Sequence, residues 1–242
     1  MTRLIWLPLI GSTQIAVDEI HRFGTDTLLL AWFSAPRHGE RVCELGTGCG
    51  AIALRLCAAN DPAQVHGIDI APEAIALARQ SAARFAERSP QCTQPTFAVG
   101  DWHAPRGIAP AGQFDRVVCD PPYFSPGSGK VSADPAAQRA RHERPGTLAD
   151  VCAASAWLLR FGGRLCLCHR PERLPDVFAA LTAAGLTPKR LMPVQQRPDK
   201  APWLVLIEAV RGGKPGLTWE KTLCLQTEDG APTTVYRAIY GE

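Results

Sequence analysis

Short apolar runs alternate with stretches of helical length from about residue 41 to about residue 210. Turn residues bound the apolar runs, a pattern typical of βαβ units that build a parallel sheet. The last two runs are separated only by residues 195–202, too few for a crossover helix, so they are predicted to form an antiparallel hairpin. We therefore predict an α/β fold with a Rossmann-like, seven-stranded, mostly parallel sheet and one antiparallel hairpin. The predicted strands are Arg41–Leu45, Val65–Ile70, Thr96–Val99, Phe114–Cys119, Arg164–Cys168, Arg190–Val194 and Trp203–Val210, and the predicted helices are Ala51–Ala59, Pro72–Arg88, Leu148–Leu159 and Pro175–Ala184.

The chain has 242 residues, of which 46% are hydrophobic and 20% are charged. These values are typical of a globular protein and exclude a disordered or coiled-coil chain. We expect a single domain over residues 1–242, with a core at 41–210, an N-terminal extension at 1–40 that contributes to the ligand site, and a C-terminal strand extension at 211–242. That extension includes a further candidate strand, Trp219–Gln226. No run approaches the roughly 18–20 apolar residues of a membrane span, so we expect no membrane partner and a cytoplasmic location, and the oligomeric state is left open.

Nine cysteines are an odd number and include no Cys-x-x-Cys pair. Neither a disulfide framework nor a zinc site is predicted from such a pattern, and no metal ligands are assigned. Cys166 and Cys168 alternate within an apolar run, which places both on one face of a strand. We interpret them as packing residues rather than as metal ligands.

The first predicted strand runs directly into a glycine-rich turn, Glu44-Leu45-Gly46-Thr47-Gly48-Cys49-Gly50, and a helix opens at Ala51. Glycines permit a tight turn and a close ligand approach, and the free N–H groups of a helix start favour an electron-rich partner. Asp69, at the end of the next strand, lies where a carboxylate can accept both hydroxyls of a ribose. The position of these residues predicts a nucleotide-type cofactor site. A dinucleotide and a methyl donor that contains adenosine both fit it.

A second motif, Asp120-Pro121-Pro122-Tyr123-Phe124, follows the predicted strand Phe114–Cys119. Consecutive prolines cannot donate ladder hydrogen bonds, so the strand ends in a rigid corner at the carboxyl edge of the sheet, where open α/β sheets bind ligands. There the Asp120 side chain and the Pro121 carbonyl could accept both N–H bonds of an amino group and aim its lone pair at a methyl donor. Tyr123 and Phe124 could stack on a flat base, which contributes about 1–3 kcal/mol per base.

The glycine turn, written Glu-x-Gly-x-Gly-x-Gly, resembles the first motif of class I S-adenosylmethionine (SAM)-dependent methyltransferases. The corner resembles that of the Asn/Asp-Pro-Pro-Tyr class of amino-group methyltransferases. Within that class the chain is similar to the tRNA (adenine-N6) methyltransferases that modify adenosine 37, with further matches at Gly24–Leu30 and Tyr236–Tyr240. This resemblance covers most of the chain. It implies SAM as the cofactor and methyl transfer to the N6 amino group of an adenine in structured RNA, with tRNA as the first candidate partner.

The resemblance also implies which residues bind the cofactor. Thr25 and Asp26 would lie near the methionine part of SAM, and Asp69 would bind the ribose. Asp101 would approach the adenine amino group, with Trp102 as a stacking neighbour. The full implied set is Thr25, Asp26, Glu44, Gly46, Thr47, Gly48, Gly50, Asp69, Ile70, Asp101 and Trp102.

The catalytic residues that the resemblance implies are Asp120, Pro121, Pro122 and Tyr123, which would hold the target base. One departure from the family pattern concerns Asp120, because the tRNA and glutamine enzymes usually carry Asn at this position. An Asp accepts the same N–H bonds and occurs in relatives that act on DNA, so the resemblance implies that the chemistry survives the change.

The predicted connection Phe124–Gly146 carries Lys130 and a basic cluster that includes Arg139 and Arg141. Basic side chains beside a base pocket suit phosphate contacts, which position a nucleic acid without reading its sequence. A solvated loop is the alternative interpretation. Residues 139–242 carry 15 Lys and Arg against 10 Asp and Glu, a balance that could face a polyanion. We assign Phe124, Lys130, Arg139 and Arg141 to substrate binding.

Three alternatives stay open from the sequence. The same chemistry could act on guanine or adenine of rRNA or on a protein glutamine, although 40 residues ahead of the core leave little room for the helical recognition domain that glutamine enzymes usually carry. The chain could bind SAM and RNA without turnover, although the intact corner argues against this. Nicotinamide-dependent oxidoreduction ranks last, because no paired acid and base for hydride transfer is evident.

Overall fold

The computed structural model describes residues 4–121 and 147–241. Within these ranges the strands are β1 (Ile5–Ile10), β2 (Thr13–Val17), β3 (Arg41–Leu45), β4 (Gln64–Asp69), β5 (Thr96–Val99), β6 (Phe114–Cys119), β7 (Leu159–His169), β8 (Leu186–Gln195), β9 (Leu204–Arg211), β10 (Thr218–Trp219) and β11 (Leu223–Cys224). The α-helices are α1 (Thr25–Ser34), α2 (Ala51–Asn60), α3 (Pro72–Arg88), α4 (Leu148–Leu158), α5 (Leu174–Ala183) and α6 (Thr234–Tyr240).

The main sheet has the strand order β10-β8-β9-β7-β6-β3-β4-β5, and β11 pairs with β8. The strands from β7 to β5 in this order are parallel to one another. By contrast, β9 lies between β7 and β8 and is antiparallel to both. The predicted α/β class, the seven predicted strands and the antiparallel hairpin are therefore confirmed. The strand β7 begins earlier than predicted, because Leu159 already pairs with Phe114 of β6.

The C-terminal segment differs from the prediction of a strand extension. The predicted single strand over Trp219–Gln226 is replaced by two short strands, β10 and β11. Each pairs with β8, and the chain leaves the edge of β8 between them. Leu223 and Leu225 are both buried, so the apolar alternation of this segment reflects packing against the sheet and not a continuous ladder. The chain then forms α6, which the sequence pattern did not indicate.

The segment ahead of the core shows no strand–helix alternation in the sequence. Its described part, residues 4–40, forms an antiparallel β1–β2 hairpin followed by α1. The hairpin is a separate two-stranded sheet. It is fastened to α3 where the Ala16 N–H donates to the Ser81 hydroxyl at 2.8 Å. The apolar run of α1 is buried over consecutive residues 28–31, and such a run cannot be distinguished from a buried strand by its periodicity.

Helices cover both faces of the main sheet. The helices α1, α2 and α3 pack on one face together with the β1–β2 hairpin, whereas α4 and α5 pack on the other. Leu45 pairs with Ile68 on one side and with Cys119 on the other, so β3, β4 and β6 end at the same edge of the sheet. The segments that follow these strands therefore lie side by side. None of the helices in the two described ranges is long and apolar enough to span a lipid bilayer.

Candidate active site

A glycine turn links β3 to α2 at the carboxyl edge of the sheet. Gly46, Gly48 and Gly50 have positive φ angles of 71°, 52° and 87°. A Cβ atom at Gly50 would lie 2.9 Å from the Phe97 ring, so both the φ angle and the space exclude larger residues there. A Cβ atom at Gly48 would meet no described atom within 4 Å. The space in front of Gly48 is therefore available to a ligand.

Glu44 lies beneath this turn with 2% of its surface exposed. Its Oε2 atom accepts hydrogen bonds from the Thr47 hydroxyl at 2.6 Å and from the Ala53 N–H at 3.0 Å. These contacts fasten the turn to the first turn of α2. Burial raises the pKa of Glu44 to about 8, and the nearby charges of Asp69 and Asp120 act in the same direction. Three carboxyl groups thus lie close together at this edge.

Asp69 ends β4 and holds the glycine turn from the side. Its Oδ2 atom accepts the Gly48 N–H at 2.8 Å, and its Oδ1 atom accepts the Ala71 N–H at 2.9 Å. The carboxylate predicted to bind a ribose therefore also fixes the backbone of the turn. Ile70 follows with 54% of its surface exposed. It presents a large apolar side chain next to the turn, as ligand pockets commonly do.

Asp101 and Trp102 follow β5. The Asp101 Oδ1 atom accepts the backbone N–H of His103 at 2.9 Å and lies 2.7 Å from His103 Nδ1. The Trp102 ring lies against Gly46, where an added Cβ atom would be 3.0 Å from it. The Nε1 atom of Trp102 is buried and has no hydrogen-bond partner among the described residues. Such a buried N–H marks a place where an acceptor from a ligand or a water can bind.

Asp120 follows β6, which is the direct neighbour of β3, so Asp120 lies beside the glycine turn. Its Oδ2 atom accepts the Thr27 hydroxyl at 2.9 Å, and its Oδ1 atom accepts the Cys168 thiol at 3.2 Å. Pro121 is buried at the end of the described range. The other residues predicted for the corner and for substrate binding lie outside the described residues: Pro122, Tyr123, Phe124, Lys130, Arg139 and Arg141.

Thr25 and Asp26 form the start of α1. The Thr25 hydroxyl lies 2.8 Å from the Tyr240 hydroxyl of α6, and the Asp26 carboxylate accepts the Thr27 N–H at 3.0 Å. Because Thr27 also contacts Asp120, the start of α1 lies at the same edge of the sheet as the corner. The start of α1 therefore lies at the edge of the sheet where the site is predicted.

Four residues that contact the predicted site do not follow from sequence patterns: Thr27, His103, Cys168 and Tyr240. A signal exists for Thr27 and for Tyr240, because they belong to the matched segments Gly24–Leu30 and Tyr236–Tyr240. The strand alternation places Cys168 on a packing face, where it is buried. Its contact with Asp120 depends on the pairing of β7 with β6, and the order of strands in a sheet cannot be read from a local pattern.

Comparison with known proteins agrees with this geometry. A methyltransferase-domain family matches residues 36–174, more than half of the chain. A tRNA1(Val) (adenine(37)-N6)-methyltransferase of Porphyromonas gingivalis is 34% identical over 77% of this chain and 73% of its own length. The chain is a SAM-dependent methyltransferase, of the family that includes this enzyme.

Other similarities to this methyltransferase extend over more of its length. A tRNA1(Val) (adenine(37)-N6)-methyltransferase of Tolumonas auensis is 28% identical over 91% of the methyltransferase and 89% of its own length. The crystal structure of a predicted O-methyltransferase from Agrobacterium tumefaciens superposes with a TM-score of 0.71 at 22% identity. That superposition covers 89% of the methyltransferase and 95% of the other chain, and it confirms the class I methyltransferase fold.

The cofactor of the methyltransferase is SAM. The prediction of SAM is therefore confirmed, and a dinucleotide is excluded. The residues present fit SAM well. The space in front of Gly48 is open, and the Trp102 N–H lacks a described partner. The carboxylates of Asp69 and Asp120 form a negative region that suits a positively charged sulfonium. Within the two described ranges, no group of three His, Cys, Asp or Glu side chains could hold a metal ion.

Proposed function

We propose that this methyltransferase transfers the methyl group of SAM to the N6 amino group of adenine 37 in a tRNA. The observation that carries the proposal is the position of Asp120. It follows β6 directly beside the glycine turn that follows β3, because Leu45 and Cys119 are paired at the ends of these strands. The names of two relatives that match most of the chain support the choice of substrate. The same relatives favour tRNA over the rRNA and glutamine alternatives.

SAM supplies an electrophilic methyl group on its sulfonium. We assign Asp69 to the ribose hydroxyls, because its carboxylate ends β4 next to the turn. Ile70 and Trp102 would bind the adenine ring between apolar surfaces, and Asp101 would accept its amino group. The glycine turn would leave the backbone near Gly48 accessible to the methionine part.

The acceptor amine is a poor nucleophile because its lone pair is delocalised into the base. In our proposal the Asp120 carboxylate and the Pro121 carbonyl accept its two N–H bonds and aim the lone pair at the methyl group. The C–S bond breaks as the N–C bond forms, and the leaving group is the neutral thioether. The methylated nitrogen is then positively charged and acidic, so it releases a proton to solvent without a strong base.

The target base must be unpaired or flipped out, since a stacked base cannot reach a corner pocket. An anticodon loop already offers unpaired bases. We propose that Tyr123 and Phe124 stack on the target adenine and that Lys130, Arg139 and Arg141 contact phosphates. We further propose that residues 1–242 act as one methyltransferase domain in the cytoplasm.

The test is transfer of labelled methyl groups from SAM to fractionated tRNA, followed by digestion to nucleosides. The expected product is N6-methyladenosine from position 37, and Asp120→Ala is expected to abolish the labelling. Equal labelling by both proteins would exclude a catalytic role for Asp120. Labelling of another nucleoside, of rRNA or of protein would show that the proposed substrate is wrong. The triple variant Lys130→Ala, Arg139→Ala, Arg141→Ala is expected to weaken RNA binding while the Kd of SAM is unchanged, and unchanged RNA affinity would exclude the phosphate contacts.

A further inference from the structure

Two hydrogen-bond donors converge on the Asp120 carboxylate. The Thr27 hydroxyl, from α1, donates to Oδ2 at 2.9 Å, and the Cys168 thiol, from β7, donates to Oδ1 at 3.2 Å. These donors come from different elements and reach different oxygens of the same carboxylate. Both oxygens of Asp120 therefore act as acceptors in this arrangement.

The Thr27 hydroxyl is oriented by a second contact. Its Oγ1 atom accepts the Gly24 N–H at 3.3 Å, at the residue that caps the N-terminus of α1. A hydroxyl has one hydrogen to donate. Because the Gly24 N–H occupies a lone pair of the Thr27 oxygen, the hydroxyl hydrogen is directed to Asp120. Thr27 thereby couples the start of α1 to the corner after β6.

Cys168 is held firmly in place by the sheet. It is fully buried on β7, and its neighbour Leu167 pairs with Cys119, the last residue of β6. The thiol therefore lies beside the first residue after β6, which is Asp120. Because a thiol is a weak donor, Cys168 is the weaker of the two contacts.

We propose that Thr27 and Cys168 are positioning residues that orient the Asp120 carboxylate for the acceptor amine. A carboxylate has about four lone-pair sites, so each of its oxygens can accept hydrogen bonds from more than one direction. A carboxamide offers one oxygen and one NH2 group, and the NH2 group would face one of the two donors. This inference rests on the proposed function of Asp120.

The experiment measures kcat and KM for tRNA, and the Kd of SAM by calorimetry, in wild type, Thr27→Val, Thr27→Ser and Cys168→Ala. Thr27→Val keeps the shape and removes the hydroxyl, so kcat is expected to fall about tenfold while the Kd of SAM stays within about twofold. Thr27→Ser restores the hydroxyl and is expected to recover kcat to within about threefold of wild type. Cys168→Ala is expected to lower kcat about threefold, because the lost donor is weak.

Matched controls are Thr187→Val and Cys152→Ala. The hydroxyl of Thr187, in β8, donates to the Gly213 carbonyl, and Cys152 is a buried residue of α4 on the other face of the sheet. Both controls are expected to retain the wild-type kcat. Thermal unfolding of all the variants shows whether a loss of kcat accompanies a loss of fold.

A double-mutant cycle with Asp120→Asn decides whether Thr27 acts through Asp120. If it does, Thr27→Val costs less than about threefold in the Asp120→Asn background, in contrast to about tenfold in wild type. An equal cost in both backgrounds, a Thr27→Ser variant as slow as Thr27→Val, or a loss confined to SAM binding would overturn the inference. A wrong assignment of Asp120 would be recognised in a separate experiment, because the Asp120→Ala variant would then label tRNA as well as wild type does.

Discussion

The Asp69 carboxylate accepts the Gly48 N–H at 2.8 Å, so the residue assigned to the ribose also fixes the glycine turn. In the proposed site, cofactor binding and the conformation of the turn therefore depend on one side chain. Loss of this side chain would leave the Gly48 N–H without its acceptor and would also remove the ligand for the hydroxyls. The two effects can be separated by the choice of substitution.

We predict that Asp69→Ala raises the Kd of SAM at least about tenfold, because it removes a charged acceptor for both the backbone and the ribose. Asp69→Asn keeps one oxygen acceptor and should show a smaller increase. Asp115→Ala is the matched control, because Asp115 accepts the Arg41 N–H at 2.8 Å at the opposite edge of the sheet. Calorimetric titration with SAM measures all three variants. An Asp69→Ala protein with the wild-type Kd would contradict the assignment.

A comparison of three glycine substitutions tests where the ligand lies. Gly48→Ala is expected to fold but to bind SAM at least about tenfold more weakly, because its methyl group enters the open space of the site. Gly50→Ala should be strongly destabilised, since its methyl group would lie 2.9 Å from the Phe97 ring. Gly39→Ala is the control: Gly39 has a positive φ angle of 85°, and an added Cβ atom there would meet no described atom within 4 Å. This variant should lose about 1–2 kcal/mol of stability and keep its SAM affinity.

The raised pKa of Glu44 leads us to predict that the free energy of unfolding depends on pH. The folded-state pKa of about 8 lies above the ordinary value of 4.5, so the folded protein holds this proton more tightly than the unfolded chain does. The resulting stabilisation is complete below pH 4.5 and is lost as the pH rises toward 8. In urea unfolding measured from pH 5 to pH 9, wild type should lose stability relative to Glu44→Gln. Parallel pH profiles of the two proteins would show that Glu44 is ionised throughout.

Arg55 predicts a stabilising substitution. This residue of α2 is 3% exposed, and its Nη1 atom has no hydrogen-bond partner in the part of the chain that the structure describes. Burial lowers the pKa of its guanidinium, which reflects the cost of placing a charged group in an apolar environment. Arg55→Met should therefore raise the free energy of unfolding by about 1 kcal/mol or more. A lower denaturation midpoint would show that Arg55 has a stabilising partner.

The elements with strong local signals were predicted well from the sequence. Pro72 begins α3, as predicted, and Thr147 caps α4 through reciprocal hydrogen bonds with Asp150, immediately before the predicted helix start at Leu148. Gly185, with a φ angle of 70°, follows the end of α5, next to the predicted helix end at Ala184. In each case the side chain or backbone conformation that sets the boundary lies within a few residues of it.

The features that the sequence did not predict depend on contacts between distant segments. Within the described ranges the β1–β2 hairpin forms a sheet of its own, and α6 is held where Tyr240 contacts Thr25. The two donors to Asp120 come from α1 and β7. No local periodicity encodes contacts between distant segments. The motif at Asp120 did indicate the carboxyl edge of the sheet, where the contacts to Asp120 occur.

The position of β9 between β7 and β8 has a consequence for synthesis on the ribosome. The nascent chain delivers β8 before the strand that separates it from β7, so β8 has no ladder partner until residues 204–211 have emerged. During that interval the edge of β7 is unpaired and open to association with other chains. Chaperone protection of the growing polypeptide would therefore matter most just before Arg211 leaves the exit tunnel.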